Sequence, residues 1–376
     1  MIKYALGIDI SMKSFHACIS SIDISQRVKI KSTSSFSNNL TGFKLLLKWI
    51  QKHCADSNVP LVVVMEATGV YYEQCAMYLF KTGFAVSIVL PNKAKKYLQS
   101  TGIKSKNDKI DSKGLSRMAA EQALPFWQPM DDYYYQLRSL TRQHQSLQEL
   151  KTSIANQLHG QLNSACANKI VTKQLKQLIL NIDKQLEVIE LAINKQIQSN
   201  DTVARKVDGI CKIKGLGILT VAVIIAECNG FILFKNIKQL VSYSGYDVIE
   251  NQSGKHIGKT RISKKGNSHI RRALHMPAFN VVRYEVPPFI NLYERTISRH
   301  SLKMKSYVAI QKKLLIMIYT LWMKEQTFDY NYYQVTTGKM ESEISSQFSF
   351  AEAVLQNSAD QKPALHKVTN RQNIAV

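Results

Sequence analysis

The chain has 376 residues, 45% of them hydrophobic, which suffices for buried cores and excludes a disordered protein. Its 50 Lys and Arg outweigh 27 Asp and Glu, for a net charge of +23. That excess points to a polyanionic partner, nucleic acid ahead of a membrane surface. No run approaches the ~20 apolar residues of a membrane span. The start, Met1-Ile-Lys-Tyr4, lacks the form of a signal peptide. The six cysteines show no C-x-x-C spacing, so they read as reduced thiols of a cytosolic protein, neither disulfides nor a zinc site.

Over residues 1–125, strand patterns fall at 4–10, 14–21, 26–33, 60–66 and 84–90, with helical patterns at 40–55, 70–82 and 109–123. The first three strands lie close together, as in a meander, and the later ones are separated by helices. This predicts a mixed sheet in an α/β domain. Asp9 sits in the apolar run Tyr4–Ile10, and Glu66 closes a second run, Pro60–Glu66. Asp108 and Asp111 lie three apart where a helix begins. An acid at the end of an apolar strand is costly unless it is paired. Two such strands and an i, i+3 acid pair therefore point to one shared ligand, a divalent metal, here Mg2+ beside phosphate. A first acid on a central strand, a second on its neighbour and a pair on a flanking helix is the ribonuclease-H-like arrangement. The plainer reading of Asp108 and Asp111 is that they favour the positive end of a helix. Lys104, Lys106 and Lys109 flank the pair and are expected to neutralise phosphates.

From 131 to 206 strand signals vanish, and leucine and isoleucine stripes predict two long helices with a break near Gly160 and Asn163. These form an antiparallel pair or a dimerising coiled coil. Residues 207–335 read as mostly helical, with one polar, glycine-containing loop at 251–266, and 336–376 as a mobile tail with at most a short helix near Phe350–Leu355. Gly215 and Gly217 precede an apolar helix and resemble a helix-hairpin-helix turn, where backbone N–H groups approach phosphate. A simple helix–helix turn accounts for them equally. The loop and the helix start after it carry the densest basic stretch: Lys255, Lys259, Arg261, Lys264, Lys265, Arg271 and Arg272, with no acid among them. Ser253 is a hydroxyl beside this patch, His256 and His269 read as phosphate contacts, and chemistry alone does not make the serine a nucleophile.

Gly7-Ile-Asp-Ile-Ser11, Met65-Glu-Ala-Thr-Gly69 and Lys106-Asn-Asp-Lys-Ile-Asp111 resemble the N-terminal domain of DEDD-type insertion-sequence transposases, the IS110 family with its Piv/MooV-type invertases. Gly215-Leu-Gly217, Phe234–Leu240, Gln252-Ser-Gly-Lys255, Ile262–Asn267 and Leu274–Ala278 resemble its C-terminal domain. The motifs run in order over roughly residues 3–325. The resemblance implies a RuvC-like N-terminal domain whose Asp9, Glu66, Asp108 and Asp111 hold magnesium, a helical connector and a helical transposase domain. It makes Ser253 the nucleophile of a serine–phosphate intermediate, with Ser263 the runner-up. It also implies donor and target duplex DNA as substrates, a structured guide RNA, and a dimer or tetramer in the cytoplasm at the nucleoid. Asn107 stands where the family often has threonine, and Ser112 where alanine often follows. A metal-only nuclease of the Holliday-junction-resolvase type, a site-specific invertase and a non-catalytic nucleic-acid-binding protein are the competing readings.

Overall fold

The structure, a computed structural model, describes residues 2–331 apart from 57, 103–106, 251, 255 and 259. The chain divides into two compact units, Met1–Pro129 and Met130–Val376. Lys104, Lys106, Lys255 and Lys259, and the tail expected over 336–376, lie outside the described residues.

In the first unit, β1 (Lys3–Ile10), β2 (Ser14–Ile22) and β3 (Val28–Ser37) form an antiparallel meander. Helix α1 (Leu40–His53) crosses to β4 (Leu61–Glu66), which pairs parallel with β1, and α2 (Glu73–Lys81) leads to β5 (Ala85–Val89), parallel to β4. The sheet order is β3-β2-β1-β4-β5. This mixed sheet is the ribonuclease-H-like order, with β1 at its centre. Helices α3 (Pro91–Ser100) and α4 (Asp108–Glu121) follow.

Alternation along the strands sends side chains to two cores. Leu6, Ile8, Val63 and Met65 pack with Phe43, Leu46 and Ile50 of α1 and with Cys75, Ala76 and Leu79 of α2. Ala5 and Val64 face the other way, onto Ala94 of α3 and Leu115, Met118 and Ala119 of α4. Two sequence expectations need revision. The third strand runs to Ser37 rather than 33, because this edge strand is largely exposed and carries little apolar pattern. Helix α3 was not foreseen: it starts on Pro91 at its first turn and buries only Ala94, so it has no apolar stripe to betray it.

The second unit is mainly helical. Helices α5 (Asp132–Leu162) and α6 (Lys169–Gln198) run antiparallel, joined by bonds from Tyr133 to Gln196 (2.9 Å), His144 to Glu190 (3.0 Å) and Lys151 to Asp183 (2.5 Å). Their distal seam is Ile154, Leu175, Ile182 and Leu186. Helices α7 (Asp201–Cys211), α8 (Ile218–Glu227) and α9 (Ile237–Tyr243) follow. Next come the two-residue strands β6 (Val248–Ile249), β7 (Gln252–Ser253), β8 (His256–Ile257) and β9 (Arg261–Ile262). Helices α10 (Ser268–Ala273), α11 (His275–Arg283), α12 (Pro287–His300) and α13 (Lys303–Lys324) close the unit. Its core gathers α8, which is apolar almost all round, with Phe231, Tyr246, Phe289 and the buried side of α13. Among the described residues no helix is long and apolar enough to cross a membrane. All six cysteines are free thiols.

Candidate active site

The four acids are placed by one close contact. A Cβ on Gly7 would lie 2.1 Å from the Ser116 nitrogen and 2.3 Å from the Ser112 carbonyl oxygen, so only glycine lets α4 lie directly on β1. Ser116 Oγ donates to the Ala5 carbonyl at 3.0 Å, which fixes the direction: α4 runs antiparallel to β1. Its first turn, bearing Asp108 and Asp111, therefore lies toward the Asp9 end of the strand.

Asp9 shares the face of Ala5 and Gly7 by alternation, and Glu66 shares that of Val64, so both acids belong to the α4 side. The last parallel pair between their strands is Ile8 with Met65, which puts Asp9 and Glu66 next in line on neighbouring strands. Both are half-buried. Asn107 caps α4, accepting from the Ile110 nitrogen at 2.8 Å, a role that threonine at this place shares. Ser112 is buried, and its hydroxyl donates to the Lys109 carbonyl at 3.0 Å.

Sequence reasoning passed over His16. It pairs with Asp9 in the β1–β2 ladder, and its Nδ1 is 3.7 Å from Asp108 Oδ2. The hairpin was the available signal: Ser11 N–H donates to the Ser14 carbonyl, and so tight a turn sets Asp9 opposite His16.

Among the described residues, no group of three or more His, Cys, Asp and Glu is arranged to hold a metal ion. The donor set itself suits a hard divalent cation, since it is entirely carboxylate oxygen gathered at one end of the sheet. The acids thus share a face and an end, with side chains not drawn together into one ligand shell.

The serine loop is a hairpin rather than the irregular loop expected. Strands β6 and β9 form its stem, Val248 opposite Ile262, and β7 and β8 its tip, Ser253 opposite His256. Each of these strands is only two residues long, too short for a period to announce it. Ser253 is exposed at the tip, followed by Gly254 at φ +55°, where a Cβ would meet no neighbour among the described residues. Ser263 is in a different state. Its hydroxyl donates to Asp247 Oδ1 at 2.7 Å and accepts from the Lys265 nitrogen at 3.2 Å, and its own nitrogen donates to the Asp247 carbonyl.

The basic residues divide similarly. Lys109, Arg261, Lys264 and Lys265 are exposed. Arg271 Nη1 donates to the carbonyls of Ser244, Gly266 and Asn267, and Arg272 is paired with Glu149. Gly215, at φ +97°, lies against Asn280 of α11 and Tyr284 just after it, so its close approach serves packing, while Gly217 precedes α8 with no neighbour beside it among the described residues.

A polar network anchors the hairpin's far end. Glu227 is buried on α8, and its carboxylate accepts two bonds from Arg142 of α5, at 2.7 and 2.9 Å, and one from Asn267 at 2.7 Å. Burial drives its pKa up, but these bonds and the Arg142 charge more than reverse that and leave it below the ordinary glutamate value. Asn267 also caps α10. His269 Nδ1 lies 2.6 Å from Gln145 Oε1, an acceptor to which an Nδ1–H donates, and burial lowers the imidazole pKa.

A central-strand acid, a neighbouring-strand acid and a flanking helix pair on a ribonuclease-H-like sheet are the arrangement of a DEDD-type domain. Comparison narrows the class. A family model described as a DEDD-type IS110 "Transposase" matches residues 6–167, and one described as "Transposase IS116/IS110/IS902 family" matches 208–294. The chain belongs to the IS110 family, and it is a DNA transposase/recombinase. It is 29% identical over 333 residues to the "Pilin gene-inverting protein" of Moraxella bovis, covering 88% of this chain and 98% of that one. The protein of the same name from Moraxella lacunata gives the same figures. A "Probable family 20 transposase" of Pseudomonas aeruginosa is 20% identical, over 60% of this chain and 72% of that one. Among solved structures, T. thermophilus RuvC in complex with a Holliday junction substrate aligns at 9% identity. The alignment covers 30% of this chain and 90% of that one with a TM-score of 0.24. The fold assignment rests on the strand order itself.

Proposed function

We propose that this protein is the transposase of an insertion sequence, cutting and rejoining duplex donor and target DNA through a covalent serine–phosphate intermediate under the direction of a structured guide RNA. The observation that carries the reading is the gathering of Asp9, Glu66, Asp108 and Asp111 at one end of the sheet, in a chain of this family. The exposed hydroxyl of Ser253 on a cationic hairpin supports the covalent step.

Asp9, Glu66, Asp108 and Asp111 are the residues to hold Mg2+, which when bound polarises the scissile phosphate and offsets the charge that develops on it. Lys109, Arg261, Lys264 and Lys265 bind the flanking phosphates, with Lys104, Lys106, Lys255 and Lys259 expected in the same role. Ser253 Oγ bonds to phosphorus as the bond from phosphorus to a deoxyribose oxygen breaks. The serine proton passes to solvent, and the departing oxygen takes one up. The ester keeps the bond energy, so a DNA hydroxyl attacking the same phosphorus reseals the strand and releases Ser253 without ATP. Ser253 is favoured over Ser263 because the Ser263 hydroxyl is held by Asp247 and Lys265.

The working form is a dimer or tetramer in the cytoplasm, at the nucleoid. The α5–α6 pair is its connection, a role supported by Leu180, Val188 and Leu191, which stand exposed on α6. A second reading, site-specific inversion, is favoured by the likeness to pilin gene-inverting proteins and differs in how the two DNA sites are arranged.

The test uses the purified protein with its co-purified RNA on a supercoiled plasmid carrying the element's ends. Strand cleavage is expected in Mg2+, absent in a chelator, and lost in Asp9→Asn and Glu66→Gln. Unchanged cleavage by Asp9→Asn would reject a catalytic role for the acids.

A further inference from the structure

We infer that an open groove of about 510 Å³ in the second unit holds a single unstacked nucleotide of the nucleic-acid substrate. This rests on the transposase reading and adds a site to it. The volume is within the ~300–1,000 Å³ usual for small-ligand sites.

The chemistry of the groove follows from a chain of hydrogen bonds. Tyr246 is fully buried, and its hydroxyl donates to Gln311 Oε1 at 3.0 Å. With its oxygen so used, Gln311 turns its amide nitrogen to His275, 3.3 Å from Nδ1. An amide N–H only donates, so Nδ1 is the acceptor and Nε2 carries the ring N–H. The exposed His275, braced edge-on by Phe279 at 5.1 Å, thus gives the groove an N–H donor of fixed orientation.

Around that donor the walls separate by character. Met304, Met276 and Val308 form an apolar side, and Lys264, Arg271 and Arg272 a cationic rim. The two arginines are set in place by the Ser244, Gly266 and Asn267 carbonyls and by Glu149. A flat, polarisable base suits the methionine wall, its phosphate suits the rim, and an acceptor on the base edge suits His275. A base paired within a duplex has both faces stacked and cannot enter, so the ligand is an unpaired nucleotide. Ile262, on the strand returning from Ser253, also lines the groove. The nucleotide is therefore held by the element that carries the serine.

The test is fluorescence anisotropy with the full-length protein in chelator, using a labelled single strand of roughly 20 nucleotides and a blunt duplex of the same length. The variants are His275→Ala and Met304→Ala, both at exposed positions, with thermal melting to show that the fold is kept. Single-strand affinity is expected to fall about tenfold in each, with duplex affinity changed less than about twofold. Equal losses on both probes, or no loss on the single strand, would overturn the pocket. Because the assay contains no metal and reads no cleavage, it stands or falls separately from the strand-transfer reaction.

Discussion

Gly7 on β1 and Ser116 on α4 meet backbone to backbone, with no room between them for a single methyl group. This contact seats α4 on the sheet and brings Asp108 and Asp111 to the end where Asp9 and Glu66 stand. Gly7→Ala is expected to lower stability by roughly 1–3 kcal/mol through overpacking and to reduce metal-dependent cleavage as α4 lifts. Urea unfolding checks the first part, and a variant as stable as the wild type would show that the contact is slack.

The two candidate serines separate by stability as well as by chemistry. Ser263→Ala removes a hydroxyl that bonds Asp247 and Lys265, and should cost roughly 1–2 kcal/mol. Ser253→Ala, at an exposed hairpin tip, should stay within about 0.5 kcal/mol of the wild type. Thermal melts of the two variants test this, and the reverse order would exchange their roles.

Glu227 ties α5, α8 and the cap of α10 together. Glu227→Ala removes the buried carboxylate that accepts from Arg142 and Asn267 and is expected to cost roughly 1–3 kcal/mol. The carboxyl is held below the ordinary glutamate value near 4.5, so its contribution is complete above that value and is lost as pH falls through the lower, folded one. Wild-type protein should accordingly lose more stability than Glu227→Gln between about pH 5 and pH 3. Parallel acid-unfolding curves would count against the ion pair.

DNA affinity should fall linearly with salt on a double-logarithmic plot, with a slope of about −0.9 per phosphate neutralised. Arg261→Ala and Lys265→Ala together should make that slope shallower by about 2. Filter binding over a salt series measures it, and an unchanged slope would place these two residues off the DNA.

Much of the first unit was readable because its strands are apolar runs and its acids stand where such runs end. Asp9 and Glu66 could be found for that reason. Helix α3 could not, since it buries only Ala94, and the limits of β3 were blurred by its exposure. In the second unit the two long helices showed by their stripes. The hairpin around Ser253 did not, because its strands are two residues each and carry no readable period. The Glu227–Arg142 pair joins residues 85 apart in sequence, a separation at which no local pattern operates. Tertiary contacts of this kind also hold the hydroxyl of Ser263.

The central claim is that Ser253, and not water, attacks the phosphate. The direct measurement is denaturing electrophoresis of the protein after reaction with labelled, supercoiled DNA carrying the element's ends, in Mg2+ and with its RNA, followed by mass spectrometry of the adduct. A covalent protein–DNA species mapped to the peptide containing Ser253, absent in Ser253→Ala and present in Ser263→Ala, is the predicted result. Cleavage by Ser253→Ala at the wild-type rate, with no adduct formed by the wild type, would contradict it.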